Sequence, residues 1–161
     1  MDEHNSPNNS LKDLQQQIGY TFNDKTLLED ALLRQSYIND NHIARKDCMD
    51  PLATVGDAVL GALVVSRLYE NGERDKGTLT TGKIRGVNRD KTRAFAVKFQ
   101  LQQYIRWGKG EEKNKVWLQG NQAFDTAFEA LVGAVFLDAQ RSGGNALVAV
   151  ERWLGSLKFF N

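Results

Sequence analysis

The sequence predicts an all-α domain. Apolar residues recur at three- and four-residue intervals through most of the 161 residues. Polar caps and glycine stops punctuate those stretches, and no segment alternates apolar and polar residues as a half-buried strand does. The length and an apolar content of 41% suffice for one domain with a substantial core.

The elements follow in order. Met1 to Ser10 is polar and Asn-rich and reads as a flexible tail, with the folded domain over 11–158. Leu11 to Ile18 forms a short amphipathic helix that Gly19 stops. Asp24 caps a helix with Leu27, Leu28, Ala31 and Leu32 on one face. Residues 35–49 read as an irregular loop. Asp50 then serves as a cap before Pro51, whose missing N–H costs nothing at a first helical position. Leu52, Val55, Val59, Leu60, Leu63, Val64 and Leu68 give that helix a broad apolar face, which marks it as central. Asn71-Gly72 ends it. A shorter helix runs from Lys76 to about Arg85, and Asn88 caps another that carries Ala94, Phe95 and Val97. Residues 108–113 read as a loop, and a second long helix spans about Asn121 to Ala139. Ser142-Gly143-Gly144 breaks it. The last helix carries Leu147, Val150, Trp153, Leu154 and Leu157. The three tryptophans are read as packing residues.

Composition narrows the function classes. No uninterrupted apolar run approaches the ~18 residues that span a bilayer, and the N-terminus has no apolar signal core. No membrane partner is expected. The single cysteine, Cys48, forms no internal disulfide, which suits a reducing, cytoplasmic setting. Cys48 with His42 falls short of a zinc site, and neither His4 nor His42 is assigned a catalytic role. The net charge is only +1, but 13 of the 21 Lys and Arg fall between Ser66 and Lys115, against 6 of the 20 Asp and Glu. This basic zone in an otherwise acidic chain suits a polyanion, unless it is merely a solvated surface.

The two long helices carry acids within apolar surroundings: Asp50 and Asp57 on the first, Asp125 and Glu129 on the second. Acids so placed call for a reason. Two-metal phosphodiester cleavage needs several carboxylates around ions about 4 Å apart. Asp125 and Glu129 stand four apart and share a helix face. Asp50 and Asp57 also share a face but lie about 10 Å apart along the axis. Asp57 and Glu129 are the candidate catalytic and metal-binding pair, Asp125 is a possible third ligand, and Asp50 is foremost a helix cap. Ion pairing with Lys or Arg at helix ends remains the competing explanation.

Several stretches carry a family resemblance: Ile18-Gly19-Tyr20-Thr21-Phe22, Ser36-Tyr37, Val55-Gly56-Asp57-Ala58-Val59-Leu60-Gly61, Gly77-Thr78-Leu79-Thr80, Val87-Asn88-Arg89, residues 108–113, and Ala127 to Asp138. In this order the chain resembles the ribonuclease III catalytic domain over about residues 11–158. The resemblance implies an all-α endonuclease fold, normally a homodimer, that cuts double-stranded RNA with Mg²⁺ or Mn²⁺. It also exposes departures. The family's signature Glu-x-x-Glu-Phe-Leu-Gly-Asp reads here Asp50-Pro51-Leu52-Ala53-Thr54-Val55-Gly56-Asp57. Ala53 replaces a direct metal ligand, Thr126 replaces the acid three residues before Glu129, and Lys76 replaces the acid that commonly precedes Gly77. Thr54 replaces the aromatic residue of the family's dimer contact.

Three readings stay open at this stage. The chain is an endoribonuclease with a reduced or rearranged acidic site, a non-cleaving binder or ribonucleoprotein scaffold, or half of a heterodimer. No double-stranded RNA-binding domain is expected after Asn161. RNA contact then falls to the basic middle: Lys83, Arg85, Arg89, Lys91, Arg93, Lys109 and Lys113.

Overall fold

The computed structural model describes residues 7–45, 47–86, 88–120 and 122–161, and the side chains of all of these except 7–10, 85 and 123. Residues 1–6 of the expected tail, His4 among them, lie outside the described residues. The helices are α1 (Pro7–Ile18), α2 (Lys25–Ala31), α3 (Gln35–Asp40), α4 (Met49–Glu70) and α5 (Lys76–Gly86). They continue as α6 (Arg89–Lys98), α7 (Lys109–Lys113), α8 (Gln122–Arg141) and α9 (Ala146–Ser156). Among the described residues the extended backbone amounts to an isolated bridge between Leu33 and Arg106.

Helices α4 and α8 form the centre. Helix α8 also packs against α2, α6 and α9, and α5 lies along α4. Most of the expected apolar faces are buried: Leu27, Leu28, Ala31 and the cap residue Leu32 at α2, and Leu52, Val59, Leu60, Leu63 and Val64 on α4, with Val55 and Leu68 half-buried. By length and a mean hydropathy of 1.4, α4 is apolar enough to cross a membrane. Here 44% of that apolar stretch is buried inside the fold, against α8, α5, α2 and α9. Phe128 of α8 stacks with Phe95 at 4.9 Å between ring centroids and lies 6.1 Å from Trp153. Trp153 donates its ring N–H to the Ile18 carbonyl at 2.8 Å, so this tryptophan is structural as expected.

Asp138 is 1% exposed and fully partnered. Its carboxylate accepts the Tyr20 hydroxyl at 2.8 Å and the backbone N–H groups of Asn23 and Asp24 at 3.1 and 2.8 Å. This acid fastens the entry to α2 onto α8. Burial, reinforced by the Asp138 charge, pushes the Tyr20 hydroxyl well above its ordinary range.

Four boundaries differ from the sequence reading. Helix α1 begins at Pro7, four residues before the expected start at Leu11. Helix α4 begins at Met49 with Cys48 as its cap residue, so Asp50 sits inside the first turn instead of capping it. Tertiary contact decides this: Met49 is fully buried and its N–H reaches the Leu33 carbonyl at 2.9 Å. Helix α3 occupies part of the expected loop, because Ile38 packs with Leu33 and Cys48 in a small satellite core. The loop expected at 108–113 contains α7, held through Glu111 to Arg34 and Ser36.

Candidate active site

The α4–α8 crossing sets the site. A methyl group on Gly56 would lie 1.8 Å from the Glu129 carbonyl oxygen, and one on Gly133 would lie 2.0 Å from that of Leu52. The two backbones touch where each helix has no side chain. Glu129 thus rests on the residue next to Asp57, which joins two acids 72 positions apart in the chain.

Asp57 and Glu129 line an open cleft of about 590 Å³, together with Asp50, Ala53 and Thr126. Arg34, Thr54 and Gln122 complete its wall. Glu129 has its carboxyl pushed up to about 7. Burial is the largest cause, followed by the negative charges of Asp57 and Asp125, while Arg89 opposes the rise. Asp57 itself is exposed.

Asp125 is committed elsewhere. It is 3% exposed, does not line the cleft, and pairs with Arg93, whose Nη2 donates at 2.8 Å while Nε donates to the other carboxylate oxygen. Asp50 lines the cleft with a largely exposed side chain, 3.3 Å from Arg34 Nη1. Lys76 is exposed and does not line the cleft. The Thr126 hydroxyl is spent on the Gln122 carbonyl at 2.7 Å.

The expected RNA-binding cations divide. Lys83, Arg89, Lys109 and Lys113 are exposed. Arg93 is tied to Asp125. The Lys91 ammonium lies 4.5 Å above the Phe159 ring, and burial lowers its pKa. The side chain of Arg85 lies outside the described residues. Arg34 and Gln122 were not anticipated. Arg34 falls directly between the α2 apolar stretch and the Ser36-Tyr37 motif, and only tertiary structure turns it toward the two acids.

Asp57 and Glu129 are hard oxygen donors of the kind that Mg²⁺ and Mn²⁺ prefer. Among the described residues, however, no group of three His, Cys, Asp or Glu side chains is arranged to hold an ion. The donor set fits one ion that keeps several waters. It does not fit a second, because Ala53 and Thr126 offer it no carboxylate.

The raised Glu129 pKa has a stability consequence. The folded chain keeps a proton that the unfolded chain loses near pH 4.5. This contribution is full below that pH, falls as pH rises, and is gone above about 7. In metal-free buffer, Glu129→Gln should therefore stabilise the protein at pH 8 by about 1–2 kcal/mol, after discounting for solvent screening. It should leave stability at pH 4 nearly unchanged. Urea melts of both proteins at the two pH values check this; an equal effect at both would remove the titration as its cause.

This is an all-helical domain with an acid-lined cleft at the crossing of its two central helices. A family model described as ribonuclease-III-like matches residues 24–152. Ribonuclease 3 of Lactiplantibacillus plantarum is 34% identical over 129 residues, covering 80% of this chain and 55% of the relative. Ribonuclease 3 of Bordetella pertussis is 37% identical over 131 residues, covering 81% and 48%. The nuclease domain of ribonuclease III from Campylobacter jejuni superimposes with a TM-score of 0.73 at 26% identity, covering 91% of this chain and 96% of that one. That structure concerns flexibility in a region of the Campylobacter protein involved in dimer formation. The chain belongs to the ribonuclease III-like family. It spans about half the length of the curated relatives it matches.

Proposed function

We propose that this chain acts on double-stranded or structured RNA in RNA processing, as a metal-dependent endoribonuclease with a reduced acidic site. The observation that carries this reading is the convergence of Asp57 and Glu129 on one open cleft. Asp57 and Glu129 would hold Mg²⁺ or Mn²⁺. When bound, the ion supplies an activated water and a counter-charge for phosphodiester hydrolysis. The exposed Lys83, Arg89, Lys109 and Lys113 suit the RNA backbone, which is recognised by shape and charge more than by sequence. A homodimer, or a heterodimer with an intact partner, would use the side of α4 where Ala58 and Ala62 are exposed, next to Thr54, which also lines the cleft. A reducing, cytoplasmic location suits the buried free thiol of Cys48.

A second reading has its own support. Ala53 and Thr126 stand in the cleft wall where the family carries acids, and Arg34 adds a positive charge there. These features favour a chain that binds duplex RNA without cutting it.

The test is incubation of a long duplex RNA with Mg²⁺ or Mn²⁺, beside Asp57→Ala and Glu129→Ala. Each variant should lose at least ~100-fold in cleavage rate, since each removes a proposed metal ligand. Duplex bound but left whole by the parent chain would select the binding reading. Cutting unchanged in both variants would overturn the assignment of the site.

A further inference from the structure

We propose that Arg34 grips a backbone phosphate of the RNA strand lying in the cleft, as a positioning residue for that strand. This rests on the RNA reading above and names a phosphate contact within it. The inference starts from how the guanidinium is held. Nε and Nη2 donate side-on to the Glu111 carboxylate at 3.1 and 2.9 Å. Glu111 is itself fixed by the Ser36 hydroxyl and, more loosely, by the Gly108 N–H at 3.4 Å. Arg34 and Glu111 are both mostly buried, with side-chain exposures of 16% and 17%.

The forward edge of the same group is sparsely used. Side-on pairing with Glu111 leaves the Nη1–Nη2 edge pointing away, and that edge reaches the cleft. Its partner there is Asp50 Oδ1, 3.3 Å from Nη1, on a side chain that is 61% exposed. An exposed pair of this kind is weak and readily exchanged. Of the two N–H groups on that edge, the Nη2 one is unspent and the Nη1 one is released when Asp50 gives way to another acceptor. Two parallel N–H groups on a rigid fork match two phosphate oxygens.

The surroundings fit the same ligand. Asp57 and Glu129 line the cleft with Arg34, so a phosphate on the fork would sit beside the acids proposed to hold the ion. The two wall positions that carry acids in the family are Ala53 and Thr126, so no carboxylate from them repels an incoming phosphate. Arg34 supplies fixed positive charge on a wall where a second ion finds no ligands. A residue serving only to tie α7 to α3 and α4 would have no need to present this edge to an open cleft.

The experiment measures binding of a fully paired RNA duplex to the whole chain, without divalent metal, at KCl from about 50 to 200 mM. Arg34→Gln should lose roughly tenfold in affinity, and the slope of log affinity against log salt should fall by about one. Arg34→Lys keeps the charge but not the fork: its slope should stay near the parent's while affinity falls about threefold. Thermal melting identifies a variant that has lost its fold, and Arg34→Lys carries the test if Arg34→Gln does. A folded Arg34→Gln with the parent's slope and affinity overturns the proposal and leaves the RNA reading standing. So does Arg34→Lys that binds as tightly as the parent. A parent chain that does not bind the duplex overturns both.

Discussion

If the proposed endoribonuclease reading holds, placing acids at the two positions where the family resemblance expects them, Ala53→Glu with Thr126→Asp, should raise Mg²⁺-dependent cleavage of duplex RNA by at least ~100-fold. Both positions line the cleft beside Asp57 and Glu129, so the new carboxylates would face the same space. Loss of a partner that merely supports a metal ligand typically costs about 10–100-fold in affinity or activity, and a ligand itself should be worth more. The gain has a cost that can be measured separately. Ala53 is only 4% exposed, and a carboxylate placed there without a counter-ion is poorly solvated. The double variant should melt at a lower temperature than the parent in chelator and recover when Mg²⁺ is added. Adding Asp57→Ala to it should abolish the gain. A double variant that folds, responds thermally to Mg²⁺ and still cuts no faster would show that the cleft lacks more than two ligands.

The second large effect concerns the α4–α8 crossing. Gly56→Ala should destabilise the fold by about 3 kcal/mol, because the new methyl would meet a backbone carbonyl that cannot rotate away. For a domain of this size that is a fall of roughly 10 °C in Tm. Gly133→Ala, whose methyl would meet the Leu52 carbonyl, should behave alike. Gly155, within α9, has nothing within 4 Å of an added methyl, so Gly155→Ala should stabilise by about 0.5–1 kcal/mol. Thermal melts of the three variants separate steric crowding from a general intolerance of alanine. If Gly56→Ala were harmless, the helices could separate freely, and the crossing would not fix the distance between Asp57 and Glu129.

What the sequence revealed followed from local rules. Leu27, Leu28, Ala31 and Leu32 at helical spacing identified α2, and Asp24 and Asn88 were recognisable caps whose side chains do accept backbone N–H bonds. The pairing of Asp57 with Glu129 in one cleft was legible because Gly56 and the apolar run of α8 fit a family pattern. Local rules stopped at long-range contacts. Asp50 before Pro51 has every mark of a helix cap, yet burial of Met49 moves the boundary and frees Asp50 for Arg34. Helices α3 and α7 are too short for periodicity to register, and contacts with Arg34, Ser36 and the satellite core maintain them. The one-residue offset that separates Asp125 from the acid position at Thr126 was visible, but its partner Arg93 lies 32 residues earlier and was counted among the RNA-binding cations.

The α4–α8 crossing also governs when the protein acquires its cleft during synthesis. The acids it unites are 72 residues apart, so no early local event assembles them, and the chain must close a long loop first. Until the segment through Arg141 has left the ribosome, Asp57 has no opposing acid, and α4 lacks the helix that covers much of its surface. A 22-residue helix, with a stretch of mean hydropathy 1.4, is then uncovered in water. The nascent chain therefore passes through its most aggregation-prone stage just before it gains its site, and chaperone demand should concentrate there.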